Sequence, residues 1–322
     1  MKILITGVAG FIGMAVAKKL LEKGDSIIGL DNLNSYYDNN LKKSRLEILK
    51  KYKNFKFYKT DILSNKIENI FYTNRPSKVI HLAAQPGVRY SITHPDECIK
   101  ININGFHNIL KLVKAYEIEH LVYASSSSVY GSNDRIPYSE KEKNDSPISL
   151  YAATKKANEL FAHTYSSLYN LKITGLRYFT VYGPWGRPDM AAMIFIKKII
   201  NEEKIDVYNY GNMKRDFTYI DDIVNGTINA LNLFENRISK KLDFFNIFNL
   251  GNSKSINLLN FIKIIEDNLQ KKANINFLPL QLGDVKKTFA NIKKSQEYLD
   301  YQPRTNIKIG IRELVKWYKN YY

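Results

Sequence analysis

Lys2-Ile3-Leu4-Ile5-Thr6 runs without a break into Gly7-Val8-Ala9-Gly10-Phe11-Ile12-Gly13 and then into a helical pattern that ends at Gly24. An apolar strand that closes in a glycine-rich turn and opens a helix brings backbone N–H groups and the positive end of the helix dipole to one point. The alternation continues. Ser26–Asp31, Phe55–Asp61, Lys78–Ala84 and Leu121–Ser126 read as further strands, with helical patterns such as Gly105–Tyr116 between some of them. Strands alternating with helices predict an α/β fold built on a doubly wound parallel sheet. No internal repeat, low-complexity tract or obvious linker interrupts it.

In such a sheet the first strand–helix turn is where a pyrophosphate sits, which makes Gly7, Gly10, Phe11, Ile12 and Gly13 candidates for a dinucleotide. The spacing Gly-x-x-Gly-x-x-Gly departs from the Gly-x-Gly-x-x-Gly fingerprint, and a plain tight turn accounts for it equally well. Asp31 ends the second strand about 20 residues further on, where a carboxylate accepts hydrogen bonds from a ribose diol and repels a 2′-phosphate. That favours NAD over NADP. Asp61 ends another predicted strand; it could meet the adenine or simply cap a turn.

Two further stretches carry chemistry. Tyr123-Ala124-Ser125-Ser126-Ser127-Ser128-Val129-Tyr130-Gly131 leads a strand into four serines, which are poor core material but suit the ligand-binding mouth of a doubly wound sheet. Ser149-Leu150-Tyr151-Ala152-Ala153-Thr154-Lys155-Lys156-Ala157-Asn158-Glu159 opens a long helical pattern with few breakers before Tyr169. Tyr151 and Lys155, four apart, share a helix face. A fixed ammonium beside a phenol favours the phenolate, so Tyr151 would be a base able to take a hydroxyl proton near neutral pH. The same spacing recurs at Tyr52/Lys56 and Tyr210/Lys214, where an amphipathic tyrosine beside a solvated lysine is the simpler account. The pair at Tyr151 draws its weight from the glycine turn and the serine-rich strand end.

Composition narrows the classes. The net charge is +17, yet the lysines come as scattered pairs (Lys18-Lys19, Lys42-Lys43, Lys197-Lys198, Lys240-Lys241, Lys271-Lys272, Lys286-Lys287, Lys293-Lys294) with no basic block or nucleic-acid motif. A solvated surface is expected, and no nucleic-acid partner. The apolar runs are too short to span a bilayer, so no membrane partner is expected either. One cysteine, Cys98, excludes an internal disulfide, and His81, His94, His107, His120 and His163 include no pair at zinc-ligand spacing. With no room for a leader before Gly7, a cytoplasmic protein is expected.

Glycine turn, Ser126, Tyr151 and Lys155, in this order, resemble the extended short-chain dehydrogenase/reductase superfamily along essentially the whole chain. A narrower resemblance is more specific. Asp31-Asn32-Leu33-Asn34-Ser35-Tyr36-Tyr37-Asp38, Ala84-Gln85-Pro86-Gly87-Val88-Arg89-Tyr90-Ser91 and Ser149–Glu159 are similar to UDP-glucuronate 4-epimerases. So are Phe179-Thr180-Val181-Tyr182-Gly183-Pro184-Trp185-Gly186-Arg187-Pro188-Asp189-Met190 and Arg215-Asp216-Phe217-Thr218-Tyr219-Ile220-Asp221-Asp222. The resemblance implies a Rossmann-type NAD lobe over residues 1–180 with a returning segment near 218–251. A smaller C-terminal substrate-binding lobe would take 181–217 and 252–322, and Ile247-Phe248-Asn249-Leu250-Gly251 would be a late strand rejoining the large sheet.

The resemblance also implies roles. Ser126 would bond the sugar's 4-hydroxyl, Tyr151 would be the base, and Lys155 would grip the nicotinamide ribose. Asn32, Ile62, Leu82, Ala83, Ala84, Asn102 and Tyr178 would line the NAD site with the residues already named. Arg215, Gln281 and Asp284 would clasp diphosphate and uridine. The family's Arg-Pro-Gly-Asp is here Gln281-Leu282-Gly283-Asp284, which makes Arg89 a second phosphate contact. Ser127, Ser128, Thr180 and Arg187 would meet the sugar's C6 carboxylate, since a guanidinium fork matches a carboxylate in a way lysine cannot. The ordinary reading of Arg187 is a loop arginine paired with Asp189, and Arg89 and Arg215 could equally be surface ion-pair partners. A homodimer through the Gly105–Tyr116 and Tyr151–Tyr169 helices is implied. Three other functions stay open: a 4-epimerase of a neutral or N-acetylated UDP-hexose, a UDP-glucuronate decarboxylase, and a non-catalytic nucleotide sensor on the same fold.

Overall fold

The computed structural model describes residues 1–142, 145–235 and 242–322; the Lys240-Lys241 pair lies outside the described residues. In chain order the strands are β1 (Lys2–Thr6), β2 (Ser26–Asp31), β3 (Phe55–Lys59), β4 (Lys78–His81), β5 (His120–Ser126) and β6 (Ile173–Tyr178). They continue with β7 (Thr180–Tyr182), β8 (Lys204–Val207), β9 (Lys214–Tyr219), β10 (Phe245–Leu250), β11 (Ser255–Asn257) and β12 (Asn274–Phe277). The main sheet has seven strands in the order β10-β6-β5-β4-β1-β2-β3, all parallel. Strand order reverses between β1 and β4, so a crevice opens at the carboxyl ends of the strands there. Of the two smaller sheets, β7, β9 and β11 form one and β8 pairs with β12 in the other.

The sheet separates two apolar layers, and β1 shows why. Ile3 and Ile5 point into one buried cluster and Leu4 into the other, as the two-residue period of a strand requires. Helices Phe11–Glu22 and Ile220–Leu231 cover the first face; Lys66–Asn74, Phe106–Ala115 and Leu150–Tyr169 cover the second. Burial on both faces explains why β1 and β2 carry apolar residues at consecutive positions rather than alternating ones.

Three elements differ from the sequence reading in ways that matter for the site. The strands expected over Phe55–Asp61 and Lys78–Ala84 stop at Lys59 and His81. The residues beyond them leave the sheet at its carboxyl edge and become the rim of the crevice. The helix expected from Gly105 is preceded by a π-helical turn, Lys100–Gly105, before the α-helix Phe106–Ala115. Within that turn the Asn102 carbonyl accepts from Asn158 Nδ2 of the Leu150–Tyr169 helix at 2.7 Å.

Thr180 belongs to β7, which pairs with β9 in the small sheet rather than closing the large one. The two parts of the chain are stapled by Arg45, wholly buried. Its Nη1 donates to the Ala9 carbonyl of the glycine turn at 3.0 Å, and its Nη2 donates to the carbonyls of Trp185 and Gly186.

Candidate active site

The glycine turn is built as an anion cradle. Gly7 has φ +71°, and a Cβ there would lie 2.8 Å from the Ala83 nitrogen; one on Gly13 would lie 2.1 Å from the Gly7 carbonyl oxygen. Only glycine allows that approach. Met14 N–H reaches the Gly10 carbonyl at 3.0 Å, so the N–H groups of Phe11, Ile12 and Gly13 remain as the orphan donors of a helix start. No side chain caps that helix. Asp31 Oδ2 accepts from Ala9 N–H at 3.0 Å and Oδ1 from Leu33 N–H at 2.9 Å. Each oxygen keeps a lone pair for a diol. Burial pushes the Asp31 carboxyl up, against the pull of the Leu33 N–H and of Lys42. Asp61 both lines the cleft and caps its turn, accepting from Leu63 N–H and from Asn32 Nδ2, each at 2.8 Å.

The helix Leu150–Tyr169 is fixed at its N-terminus by Ser149, whose Oγ accepts from Ala152 N–H at 3.1 Å. Tyr151 N–H, an orphan donor of the first turn, goes to Ser91 Oγ at 3.1 Å. Ser126 ends β5 and caps the turn that follows, its Oγ accepting from Ser128 N–H at 3.1 Å and lying 2.9 Å from Ser128 Oγ. Lys155 is buried, and its Nζ donates to the Ala124 carbonyl at 2.9 Å. Burial lowers its pKa to about 8.

Here the geometry corrects an expectation. Lys155 shares a face with Tyr151 but spends its ammonium on the end of β5 rather than on the phenol. Burial raises the Tyr151 pKa, and the opposing influences are the Arg187 charge and the Ser126 hydroxyl. Without ligands, Tyr151 is therefore held as a phenol.

Gly7, Gly10, Phe11, Ile12, Gly13, Asp31, Asn32, Asp61, Ile62, Leu82, Ala83, Ala84 and Tyr178 line one continuous cleft with a volume of about 1100 Å³. Ser126, Ser127, Ser128, Tyr151, Lys155, Thr180, Arg187, Arg89, Arg215 and Asp284 line the same cleft. Arg89 Nη2 lies 3.5 Å from Asp284 Oδ2, and its guanidinium covers the Tyr208 ring at 4.9 Å. Arg215 feels both Asp284 and Arg89. Two guanidiniums facing one carboxylate leave positive charge for an anionic ligand such as a diphosphate.

Two expected contacts are not on the cleft wall. Asn102 is buried behind it, where Nδ2 donates to the Gln85 carbonyl at 3.1 Å and Oδ1 accepts from Gln85 N–H at 2.8 Å. It shapes the loop after β4 and does not touch the cavity. Gln281 is also off the lining, with its Oε1 buried and unpartnered among the described residues. Residues that sequence reasoning did not assign are Tyr36, Lys42, Asp189 and Tyr208. Tyr36 and Asp189 stood inside the stretches quoted above, but nothing in a sequence pairs residues 153 positions apart.

A glycine cradle, an aspartate at the end of β2 and a Ser–Tyr–Lys set opening on one cleft of a doubly wound sheet define a dinucleotide-dependent enzyme of the short-chain dehydrogenase/reductase type. More narrowly, the chain belongs to the NAD dependent epimerase/dehydratase family, whose model matches residues 3–251. It is similar to Protein CapI of Staphylococcus aureus, 47% identical over 100% of this chain and 99% of that one. It is similar also to UDP-glucuronate 4-epimerase 4 of Arabidopsis thaliana, 45% identical over 99% of this chain and 76% of that one. Among solved structures it superimposes with a TM-score of 0.93 on the UDP-glucuronic acid 4-epimerase of Bacillus cereus in complex with UDP-glucuronic acid and NAD. Their identity is 33%, with both chains fully covered.

Proposed function

We propose that the chain is a UDP-glucuronate 4-epimerase, interconverting UDP-glucuronate and UDP-galacturonate through a 4-keto sugar. The observation that carries this is the Arg187 guanidinium on the cleft wall beside Tyr151, with the Ser127, Ser128 and Thr180 hydroxyls on the same cleft. The likeness along the full chain to enzymes of that name supports it.

NAD is the cofactor; when bound, it accepts and returns the hydride at C4. Tyr151 takes the 4-hydroxyl proton and later gives it back, so no proton is gained or lost over a turnover. Ser126 bonds the same hydroxyl, and Lys155 holds the nicotinamide ribose. Burial holds the Tyr151 phenol up, so further positive charge joining Arg187 around it favours the base form. Arg89 and Arg215 hold the diphosphate.

The keto intermediate is a β-keto acid, which loses CO₂ when its C5–carboxylate bond aligns with the carbonyl π system. Ser127, Ser128, Thr180 and Arg187 hold the carboxylate near the carbonyl plane, since several directional donors fix an angle that one charge cannot.

A homodimer is inferred through the helices Phe106–Ala115 and Leu150–Tyr169; the second exposes Leu160 at 59% and Leu168 at 65%. The protein is inferred to act in the cytoplasm, and no described helix is long and apolar enough to cross a membrane. Residues 1–180 with the returning segment near 218–251 are read as the NAD lobe, and 181–217 with 252–322 as the substrate-binding lobe. The deciding experiment is incubation with UDP-glucuronate and NMR of the sugar. An axial 4-hydroxyl in the product with NAD unchanged is expected; no turnover of UDP-glucuronate, with turnover of UDP-glucose, would reassign the enzyme.

A further inference from the structure

Arg187 does not stand alone in the cleft. Its Nε donates to Asp189 Oδ1 at 3.0 Å and its Nη2 donates to Asp189 Oδ2, a bidentate pair along one edge of the guanidinium. No hydrogen bond engages Nη1 among the described residues, so the second edge, Nη1 with the other Nη2 proton, remains for another carboxylate. Asp189 is itself held by a second side chain that lines the cleft. The Tyr36 hydroxyl donates to Asp189 Oδ2 at 3.0 Å. Tyr36 follows directly on the segment that begins with Asp31, and its ring rests edge-on against Tyr90, centroids 4.9 Å apart at 81°. Gly87 makes the room: at φ +106°, a Cβ there would lie 2.7 Å from the Tyr36 hydroxyl. The loop that carries Arg187 is pinned a second time, since Arg45 binds the carbonyls of Trp185 and Gly186.

We propose that Tyr36 and Asp189 are positioning residues that fix Arg187 with its free edge toward the sugar's carboxylate, and so set the preference for an acidic sugar. The inference rests on the UDP-glucuronate reading. Arginine carries several rotatable bonds, and a free one would spread its fork over many poses. Asp189 selects one pose, and the Tyr36 hydroxyl keeps Asp189 from following any other cation. The Asp31–Tyr37 segment thereby touches both ends of the chemistry, with the ribose-facing carboxylate at one end and the carboxylate-reading arginine at the other.

The test is calorimetric binding of UDP-glucuronate and of UDP-glucose to the NAD-loaded protein, which needs no turnover. Tyr36→Phe removes only the hydroxyl and is expected to weaken UDP-glucuronate three- to tenfold, about 0.6–1.4 kcal/mol, with UDP-glucose unchanged. Asp189→Asn is expected to cost UDP-glucuronate more than about tenfold, again with UDP-glucose unchanged. Because both act through Arg187, Tyr36→Phe should have no further effect in an Arg187→Ala background, a non-additivity that loss of general stability does not produce. Equal losses on both sugars, or a full Tyr36→Phe effect without Arg187, would overturn the proposal. So would tighter UDP-glucuronate binding by Asp189→Asn, which would make Asp189 a competitor. If the wild-type protein itself shows no preference for UDP-glucuronate, the functional reading fails and this inference with it; a wild-type preference that survives Tyr36→Phe and Asp189→Asn sinks the inference alone.

Discussion

Tyr151 sits where burial disfavours its anion, so the base role proposed for it depends on what surrounds it. Tyr151→Phe keeps the ring and the packing and loses the proton carrier. Turnover should fall by about a thousandfold, with NAD retained after purification; a fully active Phe variant would remove the proton step from Tyr151. Lys155 offers a second residue-scale check. Its amine titrates near 8 in the fold and near 10.5 when free. The unfolded chain therefore binds the extra proton between those values, and stability should rise with pH across that window by a total on the order of 3 kcal/mol. Denaturation of cofactor-free protein, wild type against Lys155→Met, isolates the contribution. A difference that stays flat from about pH 8 to 10.5 would mean that the buried amine keeps its proton. Thr180 belongs at this scale too. Thr180→Ala should slow epimerisation and let a UDP-4-keto-pentose appear, its C4 oxidised by the bound NAD and its carboxylate lost as CO₂, detectable by mass spectrometry and as the absorbance of the NADH left behind. Slower epimerisation with no added decarboxylation would clear Thr180 of any part in that partition.

At the scale of elements, the glycine turn is the least forgiving piece. In Gly13→Ala the new methyl would meet the Gly7 carbonyl at 2.1 Å, backbone against backbone within one turn. Something in the cradle must open, and the three orphan N–H groups lose their convergence. NAD affinity should drop by more than about tenfold, read as the cofactor content of the purified protein and by calorimetry; unaltered loading would mean that the helix start is not where the diphosphate sits. The catalytic helix and the sheet meet through polar side chains rather than apolar ones at this end. Asn158 bonds the Asn102 carbonyl, and Asn102 bonds both backbone groups of Gln85. That chain of amides is why the loop after β4 holds its shape while the strand stops early.

At the scale of the whole molecule, the apolar stripe on the Leu150–Tyr169 helix needs an explanation. Leu160 and Leu168, eight positions apart, stand mostly exposed, and Phe161 and Tyr169 are partly so. The proposed homodimer would cover this row. Leu160→Asp with Leu168→Asp should yield monomers by light scattering with an unchanged circular dichroism spectrum. A protein that is already monomeric as wild type would rule out the dimer.

Periodicity and punctuation made the parallel sheet legible, because a strand buried on both faces must be apolar throughout and a helix must show its stripe. The glycine turn, Asp31, Ser126, Tyr151 and Lys155 were legible for a related reason. The glycine turn, Asp31 and Ser126 stand where turn residues follow an apolar run, and Tyr151 and Lys155 share one face by helical spacing. The ends of β3 and β4 were not legible, since a strand stops where its neighbour stops, and that is a property of the sheet. Asn102 and Gln281 were placed by resemblance on a wall that the fold routes in front of them. The partner of Lys155 was also out of reach: helical spacing fixes the face a side chain leaves from, and the Ala124 carbonyl, supplied by another element, fixes where it ends. The Tyr36–Asp189–Arg187 chain lies furthest from the sequence. Tyr36 and Asp189 stand 153 positions apart, and only the tertiary structure, by folding the loop after β7 against the segment after β2, brings a hydroxyl, a carboxylate and a guanidinium within hydrogen-bonding reach.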